Sequence, residues 1–197
     1  MPSIPGERMK KIIFILPALL IPAYGLSQTG PSRFTAGKDQ DWCETRNRID
    51  ITGGLFNGRY ISCPKGMEQT CVDIAGDIQD LFYGAEAEKY YDNGYMRLNR
   101  ADSGALIGAM LDYQKQKLAG MKENGPASFF YAKDISAGDV TVPEDICKKE
   151  AEDASGSAYL FYVINVKNGK APGGKSKSEF KVLVDVNARI FISPLKQ

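Results

Sequence analysis

The chain has 197 residues, of which 43% are hydrophobic and 25% are charged, with 20 glycines, 10 prolines, four cysteines, no histidine and a net charge of +1. These proportions are those of an ordinary globular domain, and they exclude collagen-like, largely disordered and multi-span membrane proteins. The absence of histidine also excludes Ser-His-Asp triads, Cys-His pairs and every zinc site with a histidine ligand.

Residues 1–27 have the pattern of an upstream extension followed by a cleaved secretory signal peptide. Two lysines follow Met9, an apolar run covers 12–22, and small residues come next. The run is too short to cross a bilayer, which needs about 20 residues. We therefore expect cleavage after Gly25 or Ser27, a periplasmic or secreted protein, and no stable membrane anchor.

Charge and export together limit the partners. Cleavage removes three of the 25 basic residues and one of the 24 acidic residues, which leaves a net charge of about −1. Such a chain has no general attraction for phosphates, so nucleic acid is not an expected partner. One lysine-rich loop is a candidate contact for cell-wall polymer, and a solvated hairpin tip is the alternative; its candidate binding residues are Lys170, Lys175 and Lys177.

The four cysteines form an even set, which in an oxidising compartment predicts two disulfides with three possible pairings. Their sequence spacings of 20, 8 and 76 do not resemble the close Cys-x2-Cys pairs of a metal site, so no metal is expected. The four residues are Cys43, Cys63, Cys71 and Cys147.

A polar segment over 28–41 predicts a flexible lead-in to one globular domain over 42–197. The domain begins with a β-hairpin, for which turns at 53–54 and at 57–58 are the two candidates. A turn at 53–54 places Ile51 beside Phe56 and leaves no glycine pair inside a strand, so this register is preferred.

The preferred hairpin register also predicts the disulfide pairing. It brings Cys43 within one residue of the position opposite Cys63, and therefore leaves Cys71 to pair with Cys147. A bond between Cys63 and Cys71 would instead show that this register is wrong.

Helical spacing begins at Cys71 and predicts an amphipathic helix that ends near Gly84 or continues to Tyr91. Thr70 followed by Asp73 resembles a capping box at its start. The apolar stripe contains Cys71, Ile74, Ile78, Leu81, Phe82 and Ala85, and a second stripe contains Asp73, Asp77 and Asp80.

Two further helices and a carboxyl-terminal set of strands are predicted. One helix begins at Asp102 or Ser103 and ends near residue 124, and another begins near Thr141 and ends before 155. A short strand covers 129–135, and three more follow at 159–166, 180–186 and 189–193. This order, a hairpin, about three helices and a three-stranded antiparallel sheet, predicts an α+β fold rather than a doubly wound nucleotide-binding fold.

The catalytic motifs that can be found lack the structural context they require. Tyr113 and Lys117 have the Tyr-x-x-x-Lys spacing of short-chain dehydrogenases, but no strand, glycine loop and helix unit is present to bind a dinucleotide. Two Ser-x-x-Lys matches, at 62–65 and 178–181, lack a serine at the start of a helix. No cofactor is therefore expected.

The remaining chemistry is in tyrosines and carboxylates near the end of the first predicted helix. Tyrosine is favoured at interface centres, so the candidate binding residues here are Tyr83, Tyr90, Tyr91 and Tyr95. Glu86, Glu88 and Asp92 lie in the same segment, and a glycosidase would need two such carboxylates on opposing walls of a cleft.

The sequence thus predicts a non-catalytic binding protein of a bacterial envelope, acting as an inhibitor, an immunity factor or an accessory factor. Its expected partner is another envelope or secreted protein, with cell-wall polymer as a further candidate. The alternative is a carboxylate-dependent hydrolase of peptidoglycan or polysaccharide.

Overall fold

The computed structural model describes residues 31–37, 45–91, 98–124, 129–139, 160–169, 179–185 and 187–195. In chain order their elements are β1 (Arg33–Ala36), β2 (Arg46–Thr52), β3 (Tyr60–Pro64), α1 (Glu68–Gly84), a short 3-10 helix (Ala87–Tyr90), α2 (Ser103–Asn124), β4 (Phe130–Asp139), β5 (Leu160–Asn168), β6 (Glu179–Asp185) and β7 (Ile190–Pro194). The expected α+β class is confirmed. Strand β1 lies inside the segment that was expected to be a lead-in.

All seven strands belong to one sheet, in the order β1-β2-β3-β7-β6-β5-β4. The prediction of a three-stranded antiparallel sheet at the carboxyl end is therefore wrong. Strands β1 to β3 and strands β4 to β7 are joined into this sheet by the parallel pairing of β3 with β7. In this pairing Ile61 lies beside Ile190 and Ser62 beside Phe191. This pairing buries both isoleucines completely, and burial of each contributes about 1.5–3 kcal/mol relative to exposure.

Both helices lie on one face of the sheet. The apolar stripe predicted for α1 is buried. Its Phe82 contacts the sheet, where the ring packs edge-to-face on Tyr162 of β5 with ring centroids 5.9 Å apart. Helix α2 contacts α1 and β4, and it buries Leu106 and Met110. Within the described ranges, neither helix has the length and apolar character needed to cross a membrane.

The start of α1 differs from the expected capping box. The helix begins at Glu68, so Thr70 is already inside it. A left-handed Gly66, with φ of 82°, turns the chain, and the Glu68 carboxylate accepts hydrogen bonds from the Gly66 amide and from the Asn47 side chain. The far end agrees with one of the two predicted limits, because α1 ends at Gly84.

The predicted hairpin register differs from the observed one by three residues and is therefore wrong. Neither two-residue turn forms, because 53–59 make one longer loop in which three glycines have positive φ. Ile49 lies opposite Ile61, and Phe56 lies in the loop instead of beside Ile51. The physical reason is burial: the loop inserts Phe56 into the core, fully buried and edge-to-face on Phe82 at 5.4 Å.

The disulfide joins Cys63 at the end of β3 to Cys71 on α1. Both predicted pairings, Cys43–Cys63 and Cys71–Cys147, are therefore wrong. The observed register places Asn47 opposite Cys63, so Cys43 is four residues from that position. The expected count of two disulfides is not met by the described residues, and Cys43 and Cys147 lie outside them. The third predicted helix, from Thr141, also lies outside them.

Candidate functional site

Tyr83 is the most exposed of the large hydrophobic side chains in the described ranges, at 63%. It projects from the last turn of α1, one residue before the helix ends at Gly84. The chain then turns sharply at Glu86, whose φ of 53° is left-handed. A well-packed helix end thus holds an aromatic ring in solvent, where it can contact a partner without reorganising the core.

Val72, Gly76 and Tyr83 share one flank of α1, because they are spaced by four and seven residues. A Cβ placed on Gly76 would meet no atom within 4 Å, so the middle of this flank is open. We call these three residues and the adjoining pocket the α1 flank.

The pocket of the α1 flank lies between α1 and the β1–β2 edge of the sheet and has a volume of about 260 Å³. Its apolar lining comes from Phe34, Ala36, Ile49 and Val72, and its polar lining comes from Thr35, Asn47, Arg48 and Glu68. The hydrogen bond from the Gly66 amide is the largest cause that lowers the pKa of Glu68, which keeps this carboxylate charged. The arrangement suits an apolar side chain of a partner.

The two neighbouring tyrosines are placed differently from Tyr83. Tyr90 is half-buried and packs against the core. The Tyr91 hydroxyl is buried and has no hydrogen-bond partner in the described structure. Burial, followed by the charge of Glu88, raises the pKa of Tyr91 well above its usual value of 10.0. Both rings act mainly as packing residues.

The other predicted site residues are dispersed or outside the described ranges. Tyr95, Lys170, Lys175 and Lys177 lie outside them, as does Asp92. Glu86 forms an ion pair with Lys89 one helical turn away, and its side chain is 60% exposed. Glu88 is exposed as well. Neither glutamate has the burial that would make it a general acid.

A polar cluster that was not predicted as a site lies between the two helices. The Lys117 ammonium contacts Asp80 at 2.5 Å and Asp77 at 3.5 Å, and the Tyr113 hydroxyl donates to Asp80 at 3.1 Å. Two signals in the sequence pointed here, namely the acidic stripe of the first helix and the Tyr-x-x-x-Lys spacing of the second. Their meeting depends on the antiparallel contact of α1 and α2.

The cluster has the pKa directions of a structural contact. Burial raises the pKa of Tyr113, and the neighbouring Asp80 raises it further. A tyrosine that exchanges protons with a substrate near neutral pH needs the opposite shift. Burial also raises the pKa of Asp77, although the Phe130 amide and Lys117 oppose this. In the described part of the chain, no group of three or more His, Cys, Asp or Glu side chains is arranged to hold a metal.

Comparisons with protein-family models, with curated proteins and with solved structures find no match to this chain.

Proposed function

We propose that this is an exported protein of a bacterial envelope that acts by binding another envelope or secreted protein through the α1 flank. Its role is that of an inhibitor, an immunity factor or an accessory factor, without catalysis. The observation that carries the proposal is the 63% exposed ring of Tyr83 on the same helix flank as an apolar pocket.

The geometry supports recognition of a protein surface. Tyrosine gives a large contact area at little cost in conformational entropy, and interface centres are enriched in it. A pocket of about 260 Å³ is smaller than most sites for whole small molecules, which are about 300–1,000 Å³. It is large enough to accept one apolar side chain of a partner.

The covalent structure supports the compartment. A disulfide between a strand and a helix, as Cys63–Cys71 is, persists in oxidising compartments and is rare in the cytosol. The amino-terminal pattern of lysines, apolar run and small residues favours the same location. Export would place the α1 flank among the proteins of the envelope.

The second candidate is a carboxylate-dependent hydrolase of the cell wall, and one observation favours it. Burial raises the pKa of Asp77, as a general acid requires. Against this, the Lys117 ammonium lies 3.5 Å from Asp77 and the Phe130 amide donates to Asp77 at 2.8 Å, and both contacts favour the charged carboxylate over the protonated general acid. We therefore place binding first.

The testing experiment compares capture of envelope proteins by the mature wild-type protein with capture by three variants. Tyr83→Ala should lower recovery of the specific partner at least tenfold, because a central aromatic contact is worth about 2 kcal/mol or more. Tyr91→Phe and Asp112→Ala should leave recovery unchanged. Equal capture by wild type and Tyr83→Ala would refute the proposed surface, and peptidoglycan turnover lost in Asp77→Asn would favour the hydrolase.

A further inference from the structure

Strand β4 forms one edge of the sheet, and the outward backbone groups of its two halves have different surroundings. It has ten residues and pairs with β5 alone among the described strands. A long edge strand exposes unpaired N–H and C=O groups, and soluble proteins cover, block or use such edges.

The first half of this edge is capped by helix side chains. The Phe130 amide donates to Asp77 at 2.8 Å. The Gln114 side chain bonds Ala132 twice, accepting from its amide and donating to its carbonyl, both at 2.7 Å. Gln114 thereby satisfies the same two backbone groups that a neighbouring strand would satisfy, which blocks strand addition here.

In the second half, from Ile135 to Asp139, the outward backbone groups point in the same direction, and no side chain of the described residues caps them. Phe130 and Ala132 lie opposite Asn168 and Val166 of β5. Their backbone N–H groups point away from β5, because they donate to side chains of the helices. Beyond the bulge at Lys133, Ile135 and Ala137 lie opposite Ile164 and Tyr162, which continue the same alternate set along β5. In an antiparallel pair, alternate residues direct their N–H and C=O groups away from the partner strand.

The stripe of α2 that continues from Gln114 towards the start of the helix is apolar and open. Ile107 and Leu111 follow the same helical stripe as Gln114, and Leu111 is 42% exposed. A Cβ added at Gly104 or at Gly108 would meet no atom within 4 Å, so a neighbouring helix can come close.

We propose that Ile135–Asp139 pairs antiparallel with the same segment of a second copy of this chain, forming a two-fold dimer with one continuous sheet. A two-fold axis at Ala137 pairs Ala137 with its own copy and Ile135 with Asp139, so every outward N–H meets a C=O. Such self-complementarity is what an isologous interface requires. The two α2 helices then lie on the same side of the joined sheet.

Charge and area set the strength of this dimer. The full chain has a net charge of +1 and the expected mature chain about −1, so two copies repel each other only weakly. Five paired residues and one helix flank bury less than the roughly 1,600 Å² of a standard interface. The dimer is therefore concentration-dependent, and the edge it uses is at the opposite end of the sheet from the α1 flank.

Sedimentation of the mature protein over a concentration series, with amide hydrogen exchange, tests the proposal. The wild type should dimerise reversibly, and protection of the Ile135 and Ala137 amides should rise with the dimer fraction. Ala137→Pro removes one outward N–H and should weaken association at least tenfold, as should Leu111→Asp. The control variants Asp112→Ala and Tyr83→Ala should dimerise normally.

Three outcomes would contradict the proposed dimer. A monomer at all concentrations excludes the second copy. A monomer whose Ile135 and Ala137 amides are protected shows that the chain's own residues cover the edge. Association that is unchanged in both folded Ala137→Pro and Leu111→Asp variants places the interface elsewhere.

Discussion

Arg46 shows how a single charged residue can connect three strands. It is 2% exposed, and its guanidinium donates to the Ser62 hydroxyl at 2.7 Å, to the Ser62 carbonyl at 2.8 Å and to the Ile192 carbonyl at 2.6 Å. These bonds link β2, β3 and β7 on the sheet face away from the helices. The sequence offers no sign of this role, since an arginine in a strand is usually exposed.

Replacing Arg46 with lysine should lower the free energy of unfolding by about 2–3 kcal/mol, because a lysine lacks the planar fork and leaves buried acceptors unpaired. Urea unfolding measures the change. Arg33→Lys, at an exposed position of β1, is the matched control and should change stability by less than about 0.5 kcal/mol. Equal stability of the two variants would show that the buried bonds contribute nothing specific.

Asp77 should give the protein a measurable pH dependence. Burial is the largest cause that raises its folded pKa above the usual 3.8. The folded protein therefore binds this proton more tightly than the unfolded chain, and stability falls as pH rises from about 3.8 through the raised folded value.

Asp77→Asn removes this titration and keeps an oxygen for the Phe130 amide. Free energies of unfolding measured across that pH range should show the stability of the variant increasing relative to that of the wild type as pH rises. At higher pH the difference between the two should be constant. A difference that stays flat throughout, or that moves in favour of the wild type, would contradict the pKa direction.

At the scale of elements, the periodicity of apolar residues predicted helices and strands, but the sequence did not predict how the strands of the hairpin are paired. The spacing of apolar residues was enough to predict α1, α2 and the strands β4 to β7, because each pattern is local. The hairpin register depended on whether the loop inserts Phe56 into the core, which is a tertiary contact. The disulfide followed from that register, so one wrong turn produced two wrong pairings.

Loss of the Cys63–Cys71 bond should cost about 2.5 kcal/mol, because a short closed loop removes limited entropy from the unfolded chain. The measurement is urea unfolding of the Cys63→Ala, Cys71→Ala double variant without reductant. Reduction of the wild type should give a loss of similar size. No change in the double variant would mean that β3 and α1 hold each other equally well without the bond.

At the scale of the whole molecule, the sequence predicts the class but not the sheet. Parallel pairing of β3 with β7 brings together Ile61 and Ile190, which are far apart in the chain. Short apolar strands carry no local signal for such a partner. Tyr83 is a candidate binding residue from the sequence alone, whereas the pocket on the same helix flank could not be predicted, because residues of β1, β2 and α1 form it together.

Site-specific photo-crosslinking in living cells tests the central claim most directly, which is that the protein acts by binding through the α1 flank. A photoreactive phenylalanine derivative replaces Tyr83 in one variant and Asp112 in the other. The Tyr83 variant should form one dominant cross-linked product with an envelope or secreted protein, and the Asp112 variant should not form it. The same pattern of products from both positions, or no product at position 83, would contradict the claim.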